Sequence, residues 1–330
     1  MTGIAASLLR QVDTLPAGAL PGGAFRVFRV SGRPAYFVGR DAAGAAAFLV
    51  SASGPGRTVP LRLAGIEARF AFSCSVAELG HGQRTETLTA ILCTLRDPAT
   101  EAYFTSLSDL LMSVLGDAPT LSAVVGAVGQ LVDLFQRLRE PPRKPLIGLV
   151  GELVVIHAAL DAAAAIAAWR SDSTERYDFA SGDLRIEAKA STARRRTHSL
   201  SMEQANPARG VTAVLASMFI EQAGGGTSVA ELLEGIEAQV HDHAAVMRLR
   251  TVVAATLGRD LPAARGWRFD LHLARSSLAL FDLRNVPAVR GTLPDGVSGV
   301  RFTSDVGGCR PLAGTALNGI GPGERAILPT

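Results

Sequence analysis

Three prolines fall within the six residues Glu140–Pro145 (EPPRKP). No helix interior or central strand tolerates that density, because each proline removes a backbone donor and crowds the preceding turn. The chain must therefore fold as something before this point and something after it. Before it, from about Ala24 to Cys93, short runs of β-formers recur (FRVFRV, AYFVG, AAFLVS, TVPLRL, ARFAFS, LTAILCTL) between Gly, Pro and Asp-Ala turns, which predicts a β-rich region. Leu121, Val124, Val128, Leu131, Phe135 and Leu138 then recur at helical spacing behind a Thr120 cap, predicting a helix that stops near Pro141.

After the prolines, Leu146 to Trp169 reads as one buried helix with Leu149, Leu153, Ile156 and Leu160 on its apolar stripe and Glu152 beside it. Glu152, His157 and Asp161 interrupt it too often for a membrane span. Strands are predicted at Glu175–Phe179 and Leu184–Ser191, joined by a turn at Ala180–Asp183, and again at Val211–Ile220. A capping box, Ser228 to Glu231, opens a helix, and the alternation in WRFDLHLA and LALFDL predicts strands from Trp267 onward. The pattern as a whole predicts an α/β protein in three parts: a β-rich domain over 1–118, an α/β core over 119–262, and a β-rich extension over 263–330 packed on one of the other two.

Composition excludes several classes. With 48% hydrophobic and 19% charged residues the chain can bury enough apolar surface to fold, and a net charge of +3 is too small for a histone-like binder. Cys74, Cys93 and Cys309 are odd in number and scattered, which excludes a disulfide framework or a zinc ribbon. The first residues carry no basic, apolar leader, so a cytoplasmic setting without a membrane partner is expected. Neither a GxxxxGK phosphate loop nor a GxSxG nucleophile elbow is present.

Only Lys144 and Lys189 are lysines among the 33 basic residues, so a lysine is conspicuous wherever it stands. In Leu184–Ser191 the strand period of two sends Leu184, Ile186, Ala188 and Ala190 to one face and Arg185, Glu187, Lys189 and Ser191 to the other. If the turn leaves Phe179 opposite Leu184, Asp178 pairs with Arg185 and lies about 7 Å diagonally from Glu187. A slip of one residue would send it to the opposite face. Two carboxylates that close repel unless a cation sits between them, and a hard divalent ion such as Mg²⁺, held by Asp178, Glu187 and the Ala188 carbonyl, is the ordinary solution. The same residues also fit a solvated strand face with a Glu187–Lys189 pair worth about 0–1 kcal/mol.

Gly148 and Gly151 flank Glu152 at a cost of about 1 kcal/mol each relative to alanine, which suggests close approach of a backbone or a substrate. Arg194, Arg195 and Arg196 follow the lysine strand and fit either a solvated basic loop or sequence-independent phosphate contacts. His198 reads as a strand residue with a local hydrogen bond more readily than as a base, and His241 and His243 as residues of a helix start.

Taken in order, GLVGELVVIHAAL, Trp169, YDFASGDLRIEAKAS and SLSMEQ resemble the PD-(D/E)XK, or restriction endonuclease-like, superfamily, and within it an uncharacterised bacterial branch often encoded beside restriction or phage-defence genes. The resemblance implies a restriction endonuclease-like core, a mixed sheet flanked by helices, performing Mg²⁺-dependent hydrolysis of DNA, with Mn²⁺ able to substitute. It implies Glu152, Asp178, Glu187, Lys189 and Gln204 as catalytic residues, with Glu152 joining Asp178, Glu187 and the Ala188 carbonyl at the metal, and Arg194–Arg196 on the DNA. Duplex DNA, partner proteins of a restriction or defence system and a possible homodimer are the implied partners. A non-catalytic DNA-binding or scaffolding subunit of a defence complex is the alternative. Tyr177 stands where the superfamily has its proline, and Asn206-Pro207 would cut short any helix carrying Gln204.

Overall fold

The computed structural model describes residues 3–14, 22–55, 59–63, 65–78, 82–137, 145–170, 175–312 and 320–330. The proline-rich segment falls almost wholly outside the described residues. Around it the chain divides into two compact units, Met1–Glu140 and Pro141–Thr330.

The first unit contains α1 (Ile4–Asp13), β1 (Phe25–Arg29), β2 (Tyr36–Asp41), β3 (Ala46–Val50), β4 (Leu61–Leu63), β5 (Ile66–Glu78), β6 (Gly82–Cys93), α2 (Pro98–Leu115) and α3 (Leu121–Arg137). The six predicted β runs are the six strands. Their order is β1-β2-β3-β6-β5-β4, and a parallel pairing of β1 with β5 brings the sheet back on itself as a ring of five strands. Closure gives the apolar alternation somewhere to go: Phe25, Val27, Phe37, Leu49, Val76 and Leu88 form one buried cluster. A register shift between Arg69 and Phe72, with Ala71 at φ 42°, bends β5. Thr120 accepts from the Ala123 N–H at 3.2 Å, as predicted for the start of α3. That helix belongs to this unit, so the division falls at the proline-rich segment, some twenty residues after the 118/119 boundary expected between domain and core.

The second unit runs α4 (Leu146–Ala158), α5 (Ala162–Ala168), β7 (Phe179–Ser181), β8 (Leu184–Ser191), β9 (Thr197–Ser201), α6 (Met202–Ala205), β10 (Thr212–Phe219), β11 (Gln222–Ser228), α7 (Val229–Glu237), α8 (His243–Leu257), α9 (Leu261–Arg265), β12 (Arg268–Phe269), α10 (Leu271–Ser276), β13 (Ala279–Asp282), β14 (Arg301–Asp305) and α11 (Pro322–Arg325). Its main sheet has the order β13-β10-β8-β7, with β8 and β10 parallel and both outer pairings antiparallel. It is the mixed sheet with helices expected of the core. Residues beyond 262 supply β13 as one of its strands, so they complete the core instead of forming a separate extension. WRFDLHLA yields only the two-residue β12, because the Asp270 side chain accepts from the Leu273 N–H and starts α10.

The single helix predicted over Leu146–Trp169 is two helices. Asp161 caps α5 by accepting from the Ala164 N–H at 3.0 Å, and the chain's last residues take the backbone groups released at the break. Leu160 N–H donates to the Leu328 carbonyl, Asp161 N–H to Ala326, and Thr330 N–H to Ala158. Leu160 is 59% exposed at this corner and leaves the stripe. The same C-terminal segment reaches the β7–β8 turn, where Glu324 accepts from the Asp183 N–H at 2.5 Å. Among the described residues no helix is long and apolar enough to cross a membrane.

Candidate active site

The hairpin pairs Ser181 with Leu184, Ala180 with Arg185 and Phe179 with Ile186. Its turn is Gly182-Asp183 alone, with Gly182 at φ 50°, a conformation glycine adopts without strain. The turn is thus two residues shorter than Ala180–Asp183, and the pairing shifts by two from the predicted Phe179–Leu184 register. An even shift preserves the face. Asp178 stays on the side of Glu187 and Lys189, and continuing the ladder by one residue sets it beside Glu187 instead of Arg185. Past the end of short β7, the Ala188 N–H donates to Asp178 Oδ2 at 2.9 Å. Asp178 is fixed by the strand it faces.

Glu187 is 3% exposed, and its Oε1 lies 2.6 Å from Lys189 Nζ. Burial and the neighbouring charge of Asp178 push its carboxyl up to about 7, against the pull of Lys189 and of a hydrogen bond from Gln204. Gln204 sits in the four-residue α6, as short as Asn206-Pro207 requires. Its Oε1 accepts from the Ser201 N–H at 3.0 Å, completing a capping box, while its Nε2 donates to the Arg176 carbonyl at 2.8 Å. Tyr177, which the sequence offered only as a substituted proline, is buried and donates its phenol to the Gln204 carbonyl at 3.0 Å. Arg176, Tyr177 and Gln204 therefore form one brace beside the carboxylates.

Glu152 lies on α4 with 4% exposure, and its Oε2 accepts from the Trp169 indole Nε1–H at 2.8 Å. Two residues singled out separately in the sequence are thus direct partners. Gly151 packs α4 onto β8: a Cβ there would lie 3.2 Å from the Ala190 Cβ, so the first meaning offered for the glycines, close approach, holds for it. Gly148 faces open space. Removing the indole donor costs a hydrogen bond to a buried carboxylate, so Trp169→Phe is expected to lower stability by about 1–3 kcal/mol in denaturant titration. A variant as stable as the parent would show that this bond carries no weight.

The three consecutive arginines do not act together. Arg194 pairs with Glu221. Arg196 is turned inward, donating to the Ser217 carbonyl at 2.6 Å and hydroxyl at 2.9 Å and to the Ser277 carbonyl, with its guanidinium 4.8 Å from the Phe219 ring centre. Arg195 is exposed, as Arg194 is, and alone of the three has no partner among the described residues. Two of the three arginines are thus engaged within the chain. His198 is a buried strand residue with its Nε2 2.8 Å from the Ser217 hydroxyl, and burial, with Lys189 and Arg196 adding to it, pushes its pKa down to about 4. Asp242, between the two C-terminal histidines, is the residue that caps α8.

Asp178 and Glu187 offer the oxygen ligands a hard divalent cation takes, and the repulsion that raises Glu187 is what such an ion would relieve. Among the described residues, no three His, Cys, Asp or Glu side chains are grouped to hold one ion. Glu152, engaged with Trp169, therefore does not close a three-carboxylate ligand set with the pair, contrary to what the resemblance implies. The pair still fits Mg²⁺, which keeps several waters and is commonly bound through one or two carboxylates.

A family model described as "Putative PD-(D/E)XK family member, (DUF4420)" matches residues 23–307. The chain belongs to this family. The match spans the closed N-terminal sheet as well as the unit that carries the carboxylates, so both are parts of the DUF4420 module. No curated protein and no solved structure matches this DUF4420 chain.

Proposed function

We propose that this DUF4420 protein is a Mg²⁺-dependent DNA endonuclease of a restriction or phage-defence system. The observation that carries the reading is the buried Glu187 with the half-buried Asp178 beside it and Lys189 in contact, on a hairpin whose register holds all three on one face. The ion would be held by Asp178, Glu187 and the Ala188 carbonyl, with water completing its shell. When bound, Mg²⁺ supplies polarisation of a phosphate oxygen and a lowered pKa for its water.

The remaining work falls to the chain's own groups. Asp178, held by the Ala188 N–H, fixes the ligand direction. Lys189 orients the attacking water and offsets negative charge developing on the phosphate. Gln204 holds Glu187 and the Arg176–Tyr177 segment in place. Glu152, held by the Trp169 indole, stays outside the inner shell, and Arg195 contributes a phosphate contact.

A second reading, a DNA-binding or scaffolding subunit without turnover, draws support from the missing third ligand side chain among the described residues. Incubating the purified protein with supercoiled plasmid separates the two. Nicked or linear product with Mg²⁺ or Mn²⁺ and none with EDTA is expected, and intact plasmid under every metal condition would overturn the nuclease reading.

A further inference from the structure

Beside the carboxylate pair, on the turn side of the hairpin, lies a cleft of about 470 Å³ lined by Arg170, Glu175, Arg176, Tyr177 and Arg185. Its charges do not cancel. Arg170 and Glu175 form an ion pair at 3.2 Å. Among the described residues Arg185 donates only to the neutral Gly182 and Leu184 carbonyls, and Arg176 is exposed with no ion pair. Two guanidinium charges therefore face an open space large enough for a phosphate group and its sugar.

The cleft neighbours the site along the chain, since Arg176 and Tyr177 lead directly into Asp178. Arg185 stands two residues before Glu187 on the same face of β8, about 7 Å along the strand. That is about two nucleotide rises of one DNA strand. Tyr177 lies at the junction: Arg176, Glu187, Arg185 and Arg284 all act electrostatically on its phenol, which burial pushes up. Gln204 bonds both the Arg176 carbonyl and Glu187, so the cleft rim and the carboxylate move as one piece.

We infer that Arg176 and Arg185 bind the backbone phosphates of a DNA strand within about two nucleotides of the phosphodiester at the Asp178–Glu187 pair. This rests on the nuclease reading for the identity of the polymer. It assigns the backbone contact to Arg176 and Arg185 in place of Arg194 and Arg196.

The test is binding of a fluorescein-labelled DNA duplex in EDTA, by anisotropy, for the parent, Arg176→Gln/Arg185→Gln and Arg176→Lys/Arg185→Lys. Losing two phosphate contacts lowers the salt slope by about 2, so between about 50 and 200 mM salt the parent is expected to lose about tenfold more affinity than the Gln variant. The Lys variant, which keeps both charges, is expected to keep the parent's slope, and its behaviour separates charge from any loss of fold. A Gln variant with the parent's affinity and slope overturns the cleft and leaves the plasmid result standing. A parent that binds through these arginines yet never cuts plasmid overturns the nuclease reading and leaves the cleft.

Discussion

Replacing Lys189 by alanine is expected to reduce metal-dependent plasmid cleavage by about 10²–10⁴-fold while duplex binding in EDTA stays close to that of the parent. The lysine is 2.6 Å from Glu187, and its side chain is 23% exposed, so it can reach both the carboxylate and an incoming phosphate. Its loss would not leave a bare buried anion, because a carboxyl pushed up to about 7 by burial and by Asp178 takes a proton once its cationic partner is gone. The fold should therefore survive, and the lost rate would report chemistry. Asp178→Asn is the companion variant: it removes the charge and retains an oxygen that can accept from the Ala188 N–H. Asp178→Ala is a poorer probe, since leaving that N–H unsatisfied costs about 1–3 kcal/mol by itself. Lys189→Ala cutting at the parent's rate would remove the lysine from the mechanism and with it the main ground for the site.

The face of β8 that carries Glu187 and Lys189 was legible from parity alone, since a strand's side chains can take only two directions. The register was not, because Ala180-Ser181-Gly182-Asp183 has turn composition throughout, and nothing in it says that Ala180 and Ser181 continue the ladder. The conclusion survived because the error was even. Glu152 and Trp169 were both conspicuous, yet their mutual bond depends on α4 breaking near Leu160, where Asp161 was a readable cap and the strap from Ala326 to Thr330 was not. Arg196 failed for the same reason. Its partners, Ser217, Ser277 and the Phe219 ring, come from β10 and the C-terminal end of α10, and no local pattern connects them to a basic triplet. Arg176 was unmarked, an isolated arginine in a chain full of them, and Arg185 was placed only on the face of Glu187; the hairpin and the Gln204 brace bring the two to one cleft.

Glu187→Gln is expected to stabilise the metal-free protein at alkaline pH and to lose the stabilisation that Mg²⁺ confers. The carboxyl is raised from an ordinary value near 4.5 to about 7, so the folded state holds a proton that the unfolded state has released. Its contribution to stability is fully present below about pH 4.5 and is lost as pH rises through 7, with a ceiling of about 3 kcal/mol. Glutamine does not titrate. The difference between variant and parent should thus be small at pH 4 and grow in the variant's favour up to about pH 8, which cancels the contributions of other groups common to both proteins. Adding Mg²⁺ offsets most of that difference, since an ion that binds only the folded state at about 100 times its dissociation constant stabilises it by about 2.7 kcal/mol, and only the parent retains both charged ligands. Because bound metal needs the carboxylate form, the gain in melting temperature for the parent should itself increase from pH 6 to pH 8. Equal Mg²⁺-induced shifts in the two proteins would mean that the ion binds elsewhere, and a pH-independent difference in EDTA would mean that Glu187 is ionised without penalty.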